Sequence, residues 1–144
     1  VTLASGNYFV RIENPDGNAA RSTNNIITAS TSPSFSTGAG SLGTVQAASS
    51  VSLSVAASSD SNVTIAETTS VLTSNANTPT ATMNLSLSGS PATSATYNIT
   101  GTAPSPTAAQ TYNFTLSATD VESQVVTRDF SITVSVGATG GGGF

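Results

Sequence analysis

The chain has 144 residues, enough for one domain and a fragment of another, and only 7% of them are charged, against about 25% in an average soluble domain. It contains no His, Cys, Lys or Trp, which removes the usual nitrogen–sulfur zinc site, a thiol nucleophile, a Ser–His pair, a Schiff-base lysine and a P-loop lysine. Three arginines and a net charge of −4 leave no phosphate-neutralising surface for nucleic acid, and no apolar run approaches the roughly 20 residues that insert across a bilayer.

Ser and Thr make up about a third of the chain, and aliphatic residues alternate with them in several runs. That period-two order is the mark of β-strands, not of a disordered polar tract. Without cysteines there are no disulfide staples. The chain begins at Val1 with no legible signal peptide, as a processed chain or an excerpt would.

The first stretch, "GNYFVRIENPDGNAARSTNNIITAS", predicts two strands. Tyr8, Val10 and Ile12 share one face, "NPDG" supplies the turn, and "NNIITA" returns. Two strands bury no core by themselves, so this hairpin needs something to dock on, either preceding residues or another chain. "STSPSF" (30–35) then reads as a boundary. After it the spacing predicts about seven short strands in roughly a hundred residues, the pattern of a β-sandwich. "SVSLSVAASSD" alternates Val51, Leu53 and Val55 with serines. "NVTIAETTSVL" is a further strand or pair, and "SNANTPTAT" is a loop. "MNLSLSGS" puts Met83, Leu85 and Leu87 on one face, and "ATYNITGTAPSP" is a short strand ending near Gly101 and Pro104. "TYNFTLSATD" turns Tyr112, Phe114, Leu116 and Ala118 inward, and "VVTRDFSITVSV" aligns Val126, Phe130, Ile132, Val134 and Val136. The tail "GATGGGGF" reads as a flexible linker or as the start of a glycine-rich distal region.

Two resemblances sharpen this organisation. "GNYFVRIENPDG" (6–17) resembles the last hairpin of an IPT/TIG domain, an immunoglobulin-like module, of which only about the last third would be present. "PSF" (33–35), "GSLGTV" (40–45), "ITGTAP" (99–104) and "YNFTLSATD…RDFSITV" (112–134) resemble the immunoglobulin/cadherin-like repeats of large microbial and phage surface proteins, over about residues 33–136. The Leu-Pro-x-Gly-Leu turn usual in such repeats is replaced by "SNANTPTATMNLSLSG". The expected class is therefore all-β: residues 1–31 are the end of an IPT/TIG-like module, 32–136 an immunoglobulin-like sandwich, and 137–144 the start of a glycine-rich region.

Few residues carry chemistry. Calcium, which takes six to eight oxygens, is the one metal these side chains suit. "ATDVES" resembles the acidic turn of cadherin repeats, which implies Asp120, Glu122, Asp60 and Glu67 as candidate ligands. The Asp-x-Asp pairing and acidic linker of calcium-binding cadherins are absent, and Asp at a hairpin turn has a structural role of its own. Arg128 falls on the inward phase, within reach of Asp120 or Glu122 across the hairpin, and Asp129 falls outward. Sequons occur at Asn62, Asn84, Asn98 and Asn113, as many as this Ser/Thr content produces by chance. Seven scattered acids do not show the paired carboxylates of a glycosidase, so no catalytic residue and no cofactor is expected.

The resemblance implies a non-enzymatic structural and interaction module of an extended extracellular assembly. The first expectation is a bacteriophage virion protein such as a tail fibre, whisker or head-decoration protein. The alternatives are a bacterial adhesin or surface-layer module, at the cell surface or secreted, and a carbohydrate-binding accessory module. The partners expected are other chains of the assembly, further copies of this chain and host surface glycans.

Overall fold

The computed structural model describes residues 3–24, 27–74 and 82–136. Among them there is no helix. The chain opens as a two-stranded ribbon built in two steps. β1 (Gly6–Tyr8) pairs antiparallel with β4 (Ile27–Ala29), while β2 (Arg11–Glu13) pairs antiparallel with β3 (Ala19–Arg21). "NPDG" makes the expected turn. Gly17 N–H donates to Asn14 O at 3.0 Å, and the Asn14 side chain accepts from Asn18 N–H at 3.1 Å. Gly17 sits at φ +86°, a conformation that glycine adopts without the penalty a Cβ imposes.

The ribbon differs from the expected hairpin in two respects. The strand from Tyr8 to Ile12 is interrupted, because Val10 N–H bonds the Ser22 hydroxyl at 3.2 Å instead of a backbone carbonyl, which ends the inner ladder. The immediate return strand is "AAR", and the "NNIITA" stretch contributes only β4, further out and opposite β1. Asn25 and Ile26 lie outside the described residues.

Seven strands follow: β5 (Ser34–Phe35), β6 (Gly40–Gln46), β7 (Ser50–Glu67), β8 (Ser86–Ser88), β9 (Ala92–Thr102), β10 (Gln110–Thr119) and β11 (Val125–Ser135). Hydrogen bonding runs β6–β11–β10–β7–β9–β8, with β5 also on β7. The path folds into two layers because β7 serves both. Its first half, Ser50–Ser58, lies antiparallel to β9, and its last four residues pair with Leu116–Thr119 of β10. A register shift between Ser58 and Val63 marks the corner, where an irregular stretch lets a strand switch sheets. "SVSLSVAASSD" and "NVTIAE" are thus one strand and not two. The first layer is β5–β7–β9–β8, and the second is the end of β7 with β10, β11 and β6. β6 runs parallel to β11, and all other pairings in the sandwich are antiparallel.

The core lies between the layers and follows the alternation. Val51, Val55 and Ala57 with Ala95, Tyr97 and Ile99 come from the first layer, and Tyr112, Phe114, Leu116 and Ala118 with Phe130, Ile132 and Val134 from the second. Burying each large side chain contributes about 1.5–3 kcal/mol. The Phe35 and Phe130 rings meet edge-to-face across the layers with centroids 5.7 Å apart, and Phe114 stacks on Phe130 at 6.1 Å. Met83 and Leu85 are buried as expected, although strand pairing there is confined to 86–88. A Cβ at Gly89 would fall 2.8 Å from Thr96 O and from the Tyr97 ring, so only glycine lets the chain enter β9 this closely. Most of the "SNANTPTAT" loop and all of the glycine-rich tail lie outside the described residues.

Candidate functional site

The acids that the sequence nominates fall into two places. Asp60 stands at the corner of β7, where the small polar run Ser58–Asn62 leaves no bulky side chain to crowd the bend. Its carboxylate accepts from the hydroxyls of Ser5, Ser30 (3.1 Å) and Ser59 (3.2 Å) and from Thr31 N–H (3.1 Å). These bonds, led by the one from Ser5, hold its carboxyl far below the usual carboxylate range, since donors to the charged form favour it. Ser5 precedes β1 and Ser30 follows β4, so both legs of the ribbon converge on one carboxylate. The single Ser59 proton is shared between this carboxylate and Thr31 O, which lies closer at 2.8 Å.

The neighbouring β10–β11 turn holds Asp120 and Glu122. "DVES" is the turn, as expected. Ser123 N–H donates to Asp120 O, and Asp120 Oδ1 accepts from Gln124 N–H at 2.8 Å, the local role Asp commonly fills. Asp120 is buried, and its Oδ2 has no hydrogen-bond partner among the described residues. Glu122 accepts from the Ser61 hydroxyl, and Gln124 Oε1 from Ser32 at 2.6 Å. The β7 corner, the turn and the segment leading out of the ribbon are thereby stitched together.

Glu67 lies elsewhere, at the end of β7, and is an anchor. Oε1 accepts from Thr69 Oγ1 and from the N–H groups of Val71 and Leu72, at 3.0, 2.5 and 2.9 Å. Oε2 accepts from Thr73 N–H and Oγ1 at 3.1 and 2.9 Å. Burial, the largest single influence, pushes this carboxyl up, but the bonds from Leu72, Thr73, Val71 and Thr69 together outweigh it and hold it low.

Asp60, Asp120 and Glu122 therefore share one end of the sandwich, and Glu67 does not join them. Among the described residues no three acids come close enough to hold a metal ion. The oxygens of Asp60 and Glu67 accept internal hydroxyl and N–H donors. Arg128 corrects a sequence expectation. It does point inward, but it donates to Phe35 O at 3.1 Å and Thr37 O at 2.7 Å, with its guanidinium 5.5 Å from the Phe35 ring. It ties β5 to β11 and pairs with neither Asp120 nor Glu122. Asp129 faces outward as expected and accepts from Thr115 Oγ1 at 2.7 Å. The four sequon asparagines are exposed.

Two features escaped sequence reasoning. One is an open cleft of about 480 Å³ on the outer face of the second layer, lined by Thr69, Asn113, Thr115, Asp129 and Ser131 and bordered by Gly40. Asn113 opposes Ser131, and Thr115 opposes Asp129, across β10 and β11. The other is the set of serines that grip Asp60. In a chain so rich in Ser and Thr nothing marks these particular ones.

No protein-family model matches the sequence. No curated protein matches it. Among solved structures, the BIgI domain of beta protein from S. agalactiae, bound to CEACAM1, is similar at 24% identity and a TM-score of 0.50. That match covers 73% of this chain and 98% of the domain. The titin domains Z1Z2 in complex with telethonin align at 14% identity and a TM-score of 0.49, over 76% of this chain and about half (51%) of theirs. A mutant titin M10–obscurin-like 1 Ig complex aligns at 14% identity and a TM-score of 0.48, over 76% of this chain and 98% of that one. The fold of the sandwich is immunoglobulin-like.

Proposed function

We propose that this chain is a non-enzymatic structural and docking module of an extended extracellular assembly, a bacteriophage virion protein of the tail-fibre, whisker or head-decoration kind. Immunoglobulin-like sandwiches act in it as spacers and docking surfaces. The observation that carries this reading is the bare apolar face of the ribbon. Ile12 is 69% exposed and Val10 42%, with Ala20 opposite Ile12. The charged side chains are satisfied within the ribbon, Arg11 by Glu13 at 2.9 Å and Arg21 over the Phe9 ring at 3.9 Å. A two-stranded ribbon is marginal on its own, and an apolar face of this kind asks for cover. In the assembly that cover is the remainder of an IPT/TIG-like module, so the chain is one link in a string of sandwiches. Antibodies against the sandwich, used in immuno-electron microscopy of the source culture, test this. Label along a particle appendage supports it, and label confined to cell envelopes overturns it.

The same face predicts the behaviour of the 144 residues alone. They should associate as concentration rises, as measured by light scattering, and Val10→Ser with Ile12→Ser should return them to monomer. A monodisperse monomer at every concentration would count against an uncovered face.

A cell-surface adhesin is the second reading. It is favoured by the likeness to a bacterial domain bound to CEACAM1, and it is the outcome that envelope labelling would support. A carbohydrate-binding module is the third, and it rests on the cleft. Asn113, Asp129 and Ser131 place an amide, a carboxylate and a hydroxyl side by side, a set that hydrogen-bonds sugar hydroxyls. The carboxylate disfavours anionic sugars. On this reading a neutral glycan should shift the amide resonances of residues 113–115 and 129–131, and Asp129→Ala should abolish the shifts. Unperturbed resonances across a neutral-glycan panel would remove it.

A further inference from the structure

The ribbon and the sandwich are joined by only four residues, Ser30 to Pro33, between the ends of β4 and β5. A serine-rich linker of this kind is ordinarily a flexible joint. Here it is bound along its length. Ser30 Oγ and Thr31 N–H donate to Asp60, Thr31 O accepts from Ser59 Oγ, and Ser32 Oγ donates to Gln124. Pro33 is buried and its ring fixes φ. The opposite leg is held too, by Ser5 Oγ on Asp60.

We infer that Asp60 is the keystone of a rigid elbow, which sets the direction in which the ribbon, and whatever module it completes, leaves the sandwich. The inference deepens the spacer reading above, since a spacer transmits direction only if its joints are stiff. Three properties make one carboxylate suited to the task. It stands on the β7 corner and accepts from both legs of the ribbon at once, so its bonds cross-link three segments and not two. A carboxylate has about four acceptor sites, enough for Ser5 Oγ, Ser30 Oγ and Thr31 N–H together. Its charge favours every one of these bonds over a neutral acceptor in the same place. Behind the corner, Ser61 on Glu122 and Asp120 on Gln124 brace the β10–β11 turn that receives Ser32. The elbow therefore rests on two loops of the sandwich, each fixed to the other.

The chain has no cysteine, so a label pair is easily introduced. Ala19→Cys on the ribbon and Ser94→Cys on β9, both exposed, carry spin labels, and the labelled chain is diluted into excess unlabelled chain. Pulsed electron paramagnetic resonance should give one narrow distance peak. Asp60→Ala should replace it with a broad distribution while the thermal melt of the sandwich is unchanged, because the residue is exposed. The pair Ser5→Ala and Ser30→Ala, which leaves the β7 corner untouched, should broaden it in the same way. Equal widths in all three proteins, whether narrow or broad, would overturn the inference. These distances are read on the isolated chain, so their failure is distinct from a failure of particle labelling.

Discussion

Replacing Phe130 by Ala is expected to cost about 3–5 kcal/mol of folding stability. Phe130 is fully buried on β11 and touches both other core phenylalanines, stacked on Phe114 within its own layer and edge-on to Phe35 from the opposite one. Its removal deletes buried apolar area and leaves a cavity that the rigid strands on either side cannot close. It also strips the aromatic contact to β5, a strand of two residues, and leaves that strand to its pairing with β7 and to Arg128. In a domain of this size each kcal/mol is worth about 4–8 °C in Tm. Chemical denaturation read by near-ultraviolet circular dichroism measures the effect. Val125→Ala on the exposed start of the same strand should stay within about 0.5 kcal/mol. If the two substitutions cost the same, the layers do not pack through this ring.

How much of this was legible in the sequence depends on whether the deciding partner was near or far. Tyr112, Phe114, Leu116 and Ala118 could be assigned to the core because period two alone dictates which side of a strand faces in, and all four are buried. The β10–β11 turn was legible for the same local reason, since Asp120 and Gln124 are four residues apart. The path of β7 was not. Val51, Val55, Ala57, Val63 and Ile65 keep one parity straight through the corner, so the alternation continues while the pairing partner changes from β9 to β10. Parity carries no information about which neighbour a strand takes. Arg128 shows the limit again: its inward phase was readable, but its acceptors, Phe35 O and Thr37 O, lie some ninety residues away. Charge attraction suggested Asp120 or Glu122, whereas the fold supplied backbone carbonyls.

The candidate site divides along the same line. Acids are rare enough in this chain to be noticed one by one, and the four singled out do occupy key positions. What each one does is set by the donors around it. Asp60 and Glu67, readable from sequence only as candidate calcium ligands, accept serine and threonine hydroxyls and backbone N–H groups. Asp60, Glu67 and Asp120 each fix a connecting segment of the fold. A chain with few charges can use each as a local anchor, because almost no other charge competes for it.

Glu67 offers the second large effect, and it depends on pH. Its carboxylate holds the segment after β7 that delivers Leu72 into the core. Leu72 is fully buried, its carbonyl accepts from Leu85 N–H at 2.6 Å, and Val71 O accepts from Met83 N–H at 2.7 Å. Loss of the anchor would thus loosen the segment and the strand-like pairing beyond it. Solvent reaches part of the group, so Glu67→Gln is placed at the low end for charged hydrogen bonds, about 1.5 kcal/mol, and Glu67→Ala, which strands three N–H donors, at about 2–3 kcal/mol. The carboxyl is held below its ordinary value. Its contribution is therefore fully present above the unfolded Glu value of about 4.3 and is lost as pH falls through the lower folded one. Thermal melts of the parent and Glu67→Gln should stand apart at neutral pH and converge only in acid below the ordinary Glu range. Curves that run parallel through that range would show that the negative charge contributes nothing, leaving the anchor to the geometry of its oxygens alone.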